Sequence, residues 1–386
     1  MARMNKGTFF VLLASMFASM LGMNIISPLL PVYAVTMGAS SLEIGLVQAA
    51  FSISGIITLL FIGGLSDRFG RKCFLVGGLT VLTLSSIGLM FANSPAHLIL
   101  LRFAQGLGAS AHLVVSQAYM GDGIPAGSEG KWMGYFNAVL FAGMGAGPLV
   151  GGVLTDLLGT RSAFIVLALM TLIGLAGTLA FLKERQRKVA AREHASFAAP
   201  LKSSIMRGVL SYRMTIGLGT ASLMAFVPLF AGLRLGLSAS LIGLMLGARI
   251  PVSLCQSYTG RLADTSHRRS MVIWGGMVAA AAVSLIPLTG GFWTLMIAYL
   301  WVTVGQALGI PAANAYVVHE GRTYGMGVSV TLFMMAMYVG NGIGPVLLGA
   351  IADRLGLESV FYIAAICVAA GVYAFARMCR ETGNSV

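Results

Sequence analysis

The stretch GGLSDRFGRK, residues 63–72, decides the fold of this chain. It is a short charged segment between two apolar stretches that are each long enough to cross a bilayer, and a near copy, TGRLADTSHRR, occupies residues 259–269. Its glycines permit close backbone approach and positive φ angles, so the segment predicts a tight charged turn. Because such a turn between membrane spans occurs twice, we expect a duplicated membrane transporter.

The composition places most of the chain in lipid. Hydrophobic residues make up 57% of it, charged residues only 10%, and the mean hydropathy is +0.88. A helix crosses the hydrocarbon with about 20 apolar residues and satisfies its own backbone hydrogen bonds there, so long apolar runs predict an all-α integral membrane protein. Twelve spans are predicted, at residues 8–33, 41–62, 73–92, 97–120, 131–154, 162–182, 211–232, 238–258, 270–289, 292–317, 324–349 and 359–378.

The net charge of +13 is a topology signal and does not indicate a nucleic-acid partner. With the amino terminus inside, most lysines and arginines fall on the cytoplasmic side, and only Arg161, Arg234 and Arg354 fall outside. Cytoplasmic loops of membrane proteins carry this excess of positive charge. We therefore expect a multi-pass protein of the cytoplasmic (inner) cell membrane with both termini in the cytoplasm.

The chain repeats itself. Pro345 follows Pro148 by 197 residues, and Asp264 follows Asp67 by the same interval. Equal span numbers in the two halves predict parallel repeats related by an axis along the membrane normal, which can expose a central site to either side in turn. The predicted domains are a six-helix bundle at residues 1–182, a polar cytoplasmic linker at 183–207 and a second six-helix bundle at 208–386.

The charged turn is predicted to form a gating latch. Asp67 can accept hydrogen bonds at a helix amino terminus, where the helix dipole favours an anion, and Arg71 can pair with Asp122. A solvated loop explains the basic residues, but it does not explain the glycines or the second copy. The predicted latch residues are Gly63, Asp67, Arg68, Gly70, Arg71, Lys72 and Asp122.

The fourth predicted span carries polar side chains on one face. Arg102, Gln105 and His112 recur at helical spacing. An arginine inside a span costs about 2.5–3.5 kcal/mol on insertion scales, so Arg102 should face a central cavity, whereas His112 either handles protons or bonds a neighbouring helix. Arg249 either holds a substrate anion or bonds carbonyl groups between helices. The other predicted cavity residues are Asn24, Gln306 and Asn341.

The fifth predicted span contains the sequence GMGAGPLVGGVL. Small residues at four-residue spacing form a flat ridge for close helix contact, and the proline bends the helix. The residues of this packing motif are Gly143, Gly147, Pro148, Gly151 and Gly152.

These motifs resemble those of the major facilitator superfamily, and the resemblance covers the whole chain. Residues 63–72 match its signature loop, Arg102 to Ala109 its fourth-span motif and Gly143 to Leu154 the fifth-span motif of its proton-coupled exporters. The stretch LGMNIISPLLP from Leu21 looks like the first-span motif of the twelve-span drug antiporters. The resemblance implies two pseudo-symmetric six-helix bundles. No enzyme activity is expected, because no serine–histidine, paired-aspartate or histidine metal spacing recurs within the spans. Many such antiporters carry an acidic residue in the first or fourth span, where this chain has Asn24 and Arg102.

We therefore expect a secondary active transporter that works by alternating access and exports small amphipathic or hydrophobic compounds in exchange for protons. His112, Asp122 and Glu320 are the candidate proton carriers. Two alternatives stay open: an organic-anion carrier that uses Arg102 and Arg249, and, less favoured, a membrane sensor that does not transport. The expected partners are a small molecule, protons and the lipid bilayer, with the chain acting as a monomer. No cofactor or metal is expected, and the phosphate-binding loop of ATP-driven proteins is missing from the sequence.

Overall fold

The computed structural model describes residues 6–122, 129–184, 197–254, 259 and 268–379. This part of the chain is built from α-helices joined by short turns. The first seven helices are α1 (Lys6–Ile26), α2 (Leu29–Thr36), α3 (Ser41–Phe69), α4 (Arg71–Leu89), α5 (Pro95–Gly121), α6 (Glu129–Leu158) and α7 (Thr160–Phe181). The next seven are α8 (Ser204–Leu229), α9 (Ala239–Gly247), α10 (Arg249–Leu254), α11 (Arg268–Leu285), α12 (Phe292–Tyr324), α13 (Met326–Leu355) and α14 (Ser359–Met378).

Eleven of the described helices are long and apolar enough to cross a membrane, and a shorter apolar stretch spans Ala239–Val252. Large apolar side chains such as Phe10, Leu100 and Trp293 are exposed on the outside of the protein. Lipid can cover these apolar surfaces, whereas soluble proteins rarely expose apolar patches of this size to water. The expectation of an all-α membrane protein is confirmed.

Two predicted spans are interrupted by proline. The first span was predicted as one helix over 8–33, but α1 ends at Ile26 and α2 begins at Leu29. The eighth was predicted over 238–258, but the chain leaves the helical conformation at Ala248, between α9 and α10. A proline has no N–H for the carbonyl four residues earlier and collides with it. Pro31 acts in this way on Ser27, and Pro251 acts on Gly247.

The charged turn is much shorter than predicted. Helix α3 runs to Phe69 and α4 begins at Arg71, so only Gly70 stands between them, with a φ angle of 104°. The positive φ expected at Gly70 is present, but Gly63 lies inside α3 instead of in a turn. A single glycine suffices because the left-handed region costs it nothing. The second copy of the turn, with His267, lies outside the described residues.

The chain forms two compact units. Unit 1 contains residues 1–39, 50–191 and 237–247, and unit 2 contains residues 40–49, 192–236 and 248–386. The units follow the two predicted halves except for an exchange, because the start of α3 packs in unit 2 and α9 packs in unit 1. The core of unit 1 includes Met16, Tyr119 and Phe136. The core of unit 2 includes Tyr212 and Phe333. The domain boundaries drawn from the sequence stay a prediction.

Candidate functional site

A buried polar chain lies in unit 1 on one face of α5. The guanidinium group of Arg102 lies 4.7 Å from the ring centroid of Phe51 and donates a hydrogen bond of 3.3 Å to Gln105 Oε1. Gln105 Nε2 in turn donates to Ser86 Oγ at 3.4 Å. Arg102 is only 4% exposed. In this conformation, therefore, the cation that we expected to face a cavity is covered by an aromatic ring.

His112 lies two turns further along α5 and contacts α1 with both ring nitrogens. Nδ1 lies 3.1 Å from Ser19 Oγ, and Nε2 lies 3.4 Å from Ser15 Oγ. Each serine hydroxyl can also donate to its own helix, Ser15 to Leu12 O at 3.0 Å and Ser19 to Met16 O at 3.1 Å. The imidazole is fully buried. It is thus held by two groups that can each either donate or accept.

The glycine ridge of α6 packs against α1 and α9. A Cβ atom at Gly143, Gly147 or Gly151 would run into α1, where the residues contacted include Asn24 beside Gly147. A Cβ atom at Gly152 would run into the backbone at Ala239 of α9. The close packing that small residues at this spacing predict is therefore present, on two different helices. The amide of Asn24 donates to Met20 O in its own helix at 2.8 Å.

Part of the predicted latch is assembled in unit 1. Arg71 Nε lies 3.0 Å from Asp122 Oδ2, and Arg71 Nη1 donates to Ser66 Oγ at 2.8 Å. The side chain of Arg71 is 5% exposed and that of Asp122 is 19% exposed, so the arginine end of this ion pair is buried. The exposed guanidinium of Arg68 lies 5.3 Å from the ring centroid of Phe69. The side chain of Asp67 lies outside the described part of the structure, and the latch function stays a prediction.

Glu184 contacts the predicted latch, although the sequence did not reveal this because Glu184 lies in the segment predicted to be a linker. Its carboxylate accepts from the backbone N–H of Lys72 at 3.0 Å and lies over Gly70, where any Cβ atom would meet it. The ammonium group of Lys72 donates to Leu179 O at 2.9 Å. Glu184 therefore accepts from a backbone N–H at the start of α4 that has no partner within the helix. The helix dipole favours an anion at this position.

Two further carboxylates cap the amino-terminal ends of α3 and α9, and the sequence reasoning missed both. Asp156, near the end of α6, accepts from the backbone N–H groups of Ala239 and Ser240 at 3.1 and 2.8 Å. Asp353, near the end of α13, accepts from those of Ser41 and Leu42 at 2.8 and 3.0 Å. The two acids are 197 residues apart, the interval that already related Pro148 to Pro345. That interval was the signal that could have found them.

Unit 2 brings Arg249 and Gln306 together. They line a cleft with Thr220, Tyr299 and Thr303. Gln306 Nε2 donates to Thr220 Oγ1 at 2.9 Å. Asn341 lies elsewhere, on α13 beside Gly217 of α8. Of the predicted cavity residues in unit 2, the described structure therefore places two in one site.

Arg213, which the sequence places among the basic residues of the cytoplasmic side, is partly buried in unit 2, and its side of the membrane stays a prediction. It lies ten residues into α8, with its guanidinium group 4.9 Å from the ring centroid of Phe333 and 2.8 Å from Met337 Sδ. Aromatic and sulfur contacts stabilise a cation that is removed from water. Glu320, another proton-carrier candidate, is buried on α12 and is 8% exposed.

Comparison with known proteins identifies the family. The sequence model of the Major Facilitator Superfamily matches residues 12–250 and 209–385, which together cover almost the whole chain. The chain belongs to the major facilitator superfamily. It is a multi-pass membrane protein and a transporter of small molecules, and its family members are not enzymes.

Relatives within the superfamily match almost the full length of the chain. An uncharacterised MFS-type transporter of Methanocaldococcus jannaschii is 25% identical over 98% of this chain and 100% of its own length. The quinolone resistance protein NorA of Staphylococcus aureus is 23% identical over 96% of this chain and 95% of its own. A solved bacterial homologue of the human lysosomal transporter Spinster has a TM-score of 0.78, 15% identity and coverage of 97% and 96%. At that identity, the solved structure supports the fold alone.

Proposed function

We propose that this chain exports small amphipathic compounds in exchange for protons and that His112 carries the proton. The similarity to NorA supports export. The observation that carries proton exchange is the position of His112 between Ser15 and Ser19. We further propose that the chain acts as a monomer in the cytoplasmic membrane, with both termini in the cytoplasm.

The two serines can satisfy His112 in either protonation state. When the imidazole is doubly protonated, both ring nitrogens donate, and each serine can accept while its own hydrogen points to a backbone carbonyl of α1. When the imidazole is neutral, one serine hydroxyl can rotate and donate to the bare nitrogen. Neither state leaves a buried ring nitrogen without a partner, a situation that would cost about 1–3 kcal/mol. A buried site can therefore gain and lose a proton with only a hydroxyl rotation.

Charged side chains about 15 Å from His112 can raise or lower its proton affinity through long-range electrostatics. On α5 itself, Arg102 and Asp122 are each ten residues away, which is about 15 Å along the helix. On α4, which packs against α5, Arg71 and Lys72 lie at the first turn. A fixed cation such as Arg102 opposes protonation of the imidazole, and a bound substrate that shields it relieves this effect. This is the linkage that proton exchange requires.

The test is transport into inverted membrane vesicles under an imposed pH gradient, with a quinolone as the probe. His112→Gln should retain quinolone binding but lose the dependence of transport on the gradient. His97→Gln, at an exposed position in the first turn of the same helix, is the matched control and should transport normally. If His112→Gln still concentrates the quinolone with unchanged pH dependence, His112 is not the carrier, and Asp122 and Glu320 become the residues to change.

A further inference from the structure

We propose that the cleft around Arg249 in unit 2 binds the anionic group of the substrate, so that aromatic compounds with a carboxylate are preferred. This inference names the substrate class of the transporter proposed above and rests on that function. It begins from a comparison of equivalent positions in the two halves of the chain.

The two halves contain equivalent polar sites, but the arginine of the site lies on a different helix in each half. SLEIGLV at residues 41–47 aligns with ASLIGLM at 239–245, and continuing this alignment places Arg249 opposite Phe51. QGLGA at residues 105–109 aligns with QALGI at 306–310, and this alignment places Thr303 opposite Arg102. Each half therefore has one arginine beside the shared glutamine, but the arginine lies on α5 in unit 1 and on α10 in unit 2.

The redistribution explains why unit 2 has a cleft at this position. In unit 1, the ring of Phe51 covers Arg102, and the site is filled. In unit 2, Arg249 occupies the position equivalent to Phe51. The much smaller Thr303 occupies the position equivalent to Arg102. A cleft remains, lined by Arg249, Tyr299, Gln306 and Thr303.

The size and polarity of the cleft favour one small oxyanion. The cleft is narrow, because the part of it that a water-sized group can enter holds about one water molecule. It therefore accommodates a single polar group and not a whole drug-sized molecule. The residues that line the cleft include no carboxylate, so among these residues Arg249 has no anionic partner, and the acceptors there are hydroxyl groups and the amide oxygen of Gln306. A carboxylate oxygen entering the cleft would accept charge-assisted hydrogen bonds from the guanidinium group, which are about twice as strong as neutral ones.

The cleft lining also contains apolar side chains, which the rest of the substrate would contact where it leaves the cleft. Met224 and Leu223 of α8 and Val302 of α12 form the rest of the lining. Methionine adapts to irregular aromatic shapes, so these side chains can contact different ring systems. The expected ligand is therefore an aromatic or amphipathic molecule with one carboxylate, oriented with that carboxylate toward Arg249.

The test measures equilibrium binding to the full chain in lipid nanodiscs at pH 7, without a pH gradient. The probes are a radiolabelled quinolone carboxylic acid and its methyl ester, which differ in charge and little else. The wild type should bind the acid about 10-fold or more tightly than the ester. Arg249→Gln should remove this preference and leave binding of the ester unchanged, whereas Arg249→Lys should retain part of it. Arg234→Gln, which changes an exposed arginine paired with Glu358, is the matched control and should behave like the wild type.

Three results would overturn the anion site: equal binding of acid and ester by the wild type, no binding of either, or equal losses for both probes in Arg249→Gln. The last result would mean that Arg249 maintains the fold of the site. Because the measurement uses no gradient, it is independent of proton exchange. A chain that prefers the acid but does not export it would disprove the proposed direction and leave the anion site intact.

Discussion

The carboxylate of Asp353 accepts the backbone N–H of Ser41 at 2.8 Å, and 197 residues earlier the carboxylate of Asp156 accepts that of Ala239 at 3.1 Å. Each acid caps a helix whose sequence continues into the other unit. The internal repeat therefore extends to the capping interactions, because each copy supplies the acid and the helix start in the same geometry.

The two caps should contribute measurably to stability. A carboxylate cap is worth about 0.5–2 kcal/mol, so Asp156→Asn and Asp353→Asn should each lower the free energy of unfolding by up to that amount. The double variant should lose about the sum, since the two sites share no partner. Thermal unfolding in a single detergent is the measurement. Glu358→Gln, which removes an exposed partner of Arg234, is the control and should change little.

Gly243 and Gly45 should not tolerate a methyl group. A Cβ atom at Gly243 would collide with the carbonyl oxygen of Pro148, and one at Gly45 would collide with that of Pro345. Gly243→Ala and Gly45→Ala should therefore reduce both thermal stability and transport. Gly77→Ala places the same methyl group in open space within α4 and should be neutral or stabilising by up to about 1 kcal/mol. Equal effects of all three substitutions would refute this account of the helix contacts.

The Arg71–Asp122 ion pair should be far more sensitive than an exposed pair. Removing one partner of a buried pair costs about 3–5 kcal/mol because the other charge stays buried. Asp122→Asn should therefore lower stability and transport strongly. Arg234→Gln breaks a pair whose side chains are 69% and 49% exposed and should cost at most about 1 kcal/mol. Similar unfolding temperatures for the two variants would argue against a latch at Arg71.

Cysteine labelling should distinguish an exposed thiol from a buried one. Cys73 is exposed, whereas Cys379 is buried, and burial raises the pKa of the Cys379 thiol to about 11. In a variant with Cys255 and Cys367 changed to serine, maleimide at pH 7.5 should modify Cys73 quickly. Cys379 should react only after unfolding or as the pH approaches 11, because the thiolate is the nucleophile. Rapid labelling of Cys379 at pH 7.5 would contradict its burial.

The same cysteine reports the orientation in the membrane. We expect Cys73 to be cytoplasmic, so a membrane-impermeant maleimide should label it in inverted vesicles and not in intact cells. A cysteine introduced at the exposed Ala96, before the bulk of α5, should show the reverse pattern. The opposite result for both positions would place the charged turn on the outer face and invert the predicted topology.

The sequence by itself determined the fold class, the family motifs and the repeat. Hydrophobic length and the positions of charge and proline are properties of the chain, so they need no tertiary contacts to be read. The pairing of Arg71 with Asp122 could also be anticipated, because both residues flank the same end of adjacent spans. The spacing of 197 residues that relates Pro148 to Pro345 also relates the two capping acids, Asp156 and Asp353.

Only the tertiary structure decided how the polar residues are partnered. Helical periodicity places Arg102 on a face, but it cannot say that a ring from α3 covers it. The sequence counts Arg213 among the basic residues of one membrane side, but it cannot say that its guanidinium group lies 4.9 Å from the ring centroid of Phe333. The cleft at Arg249 depends on which residue of one helix faces which residue of another. That information exists only once the helices have packed, because side-chain contacts between helices are not encoded in the pattern of either helix alone.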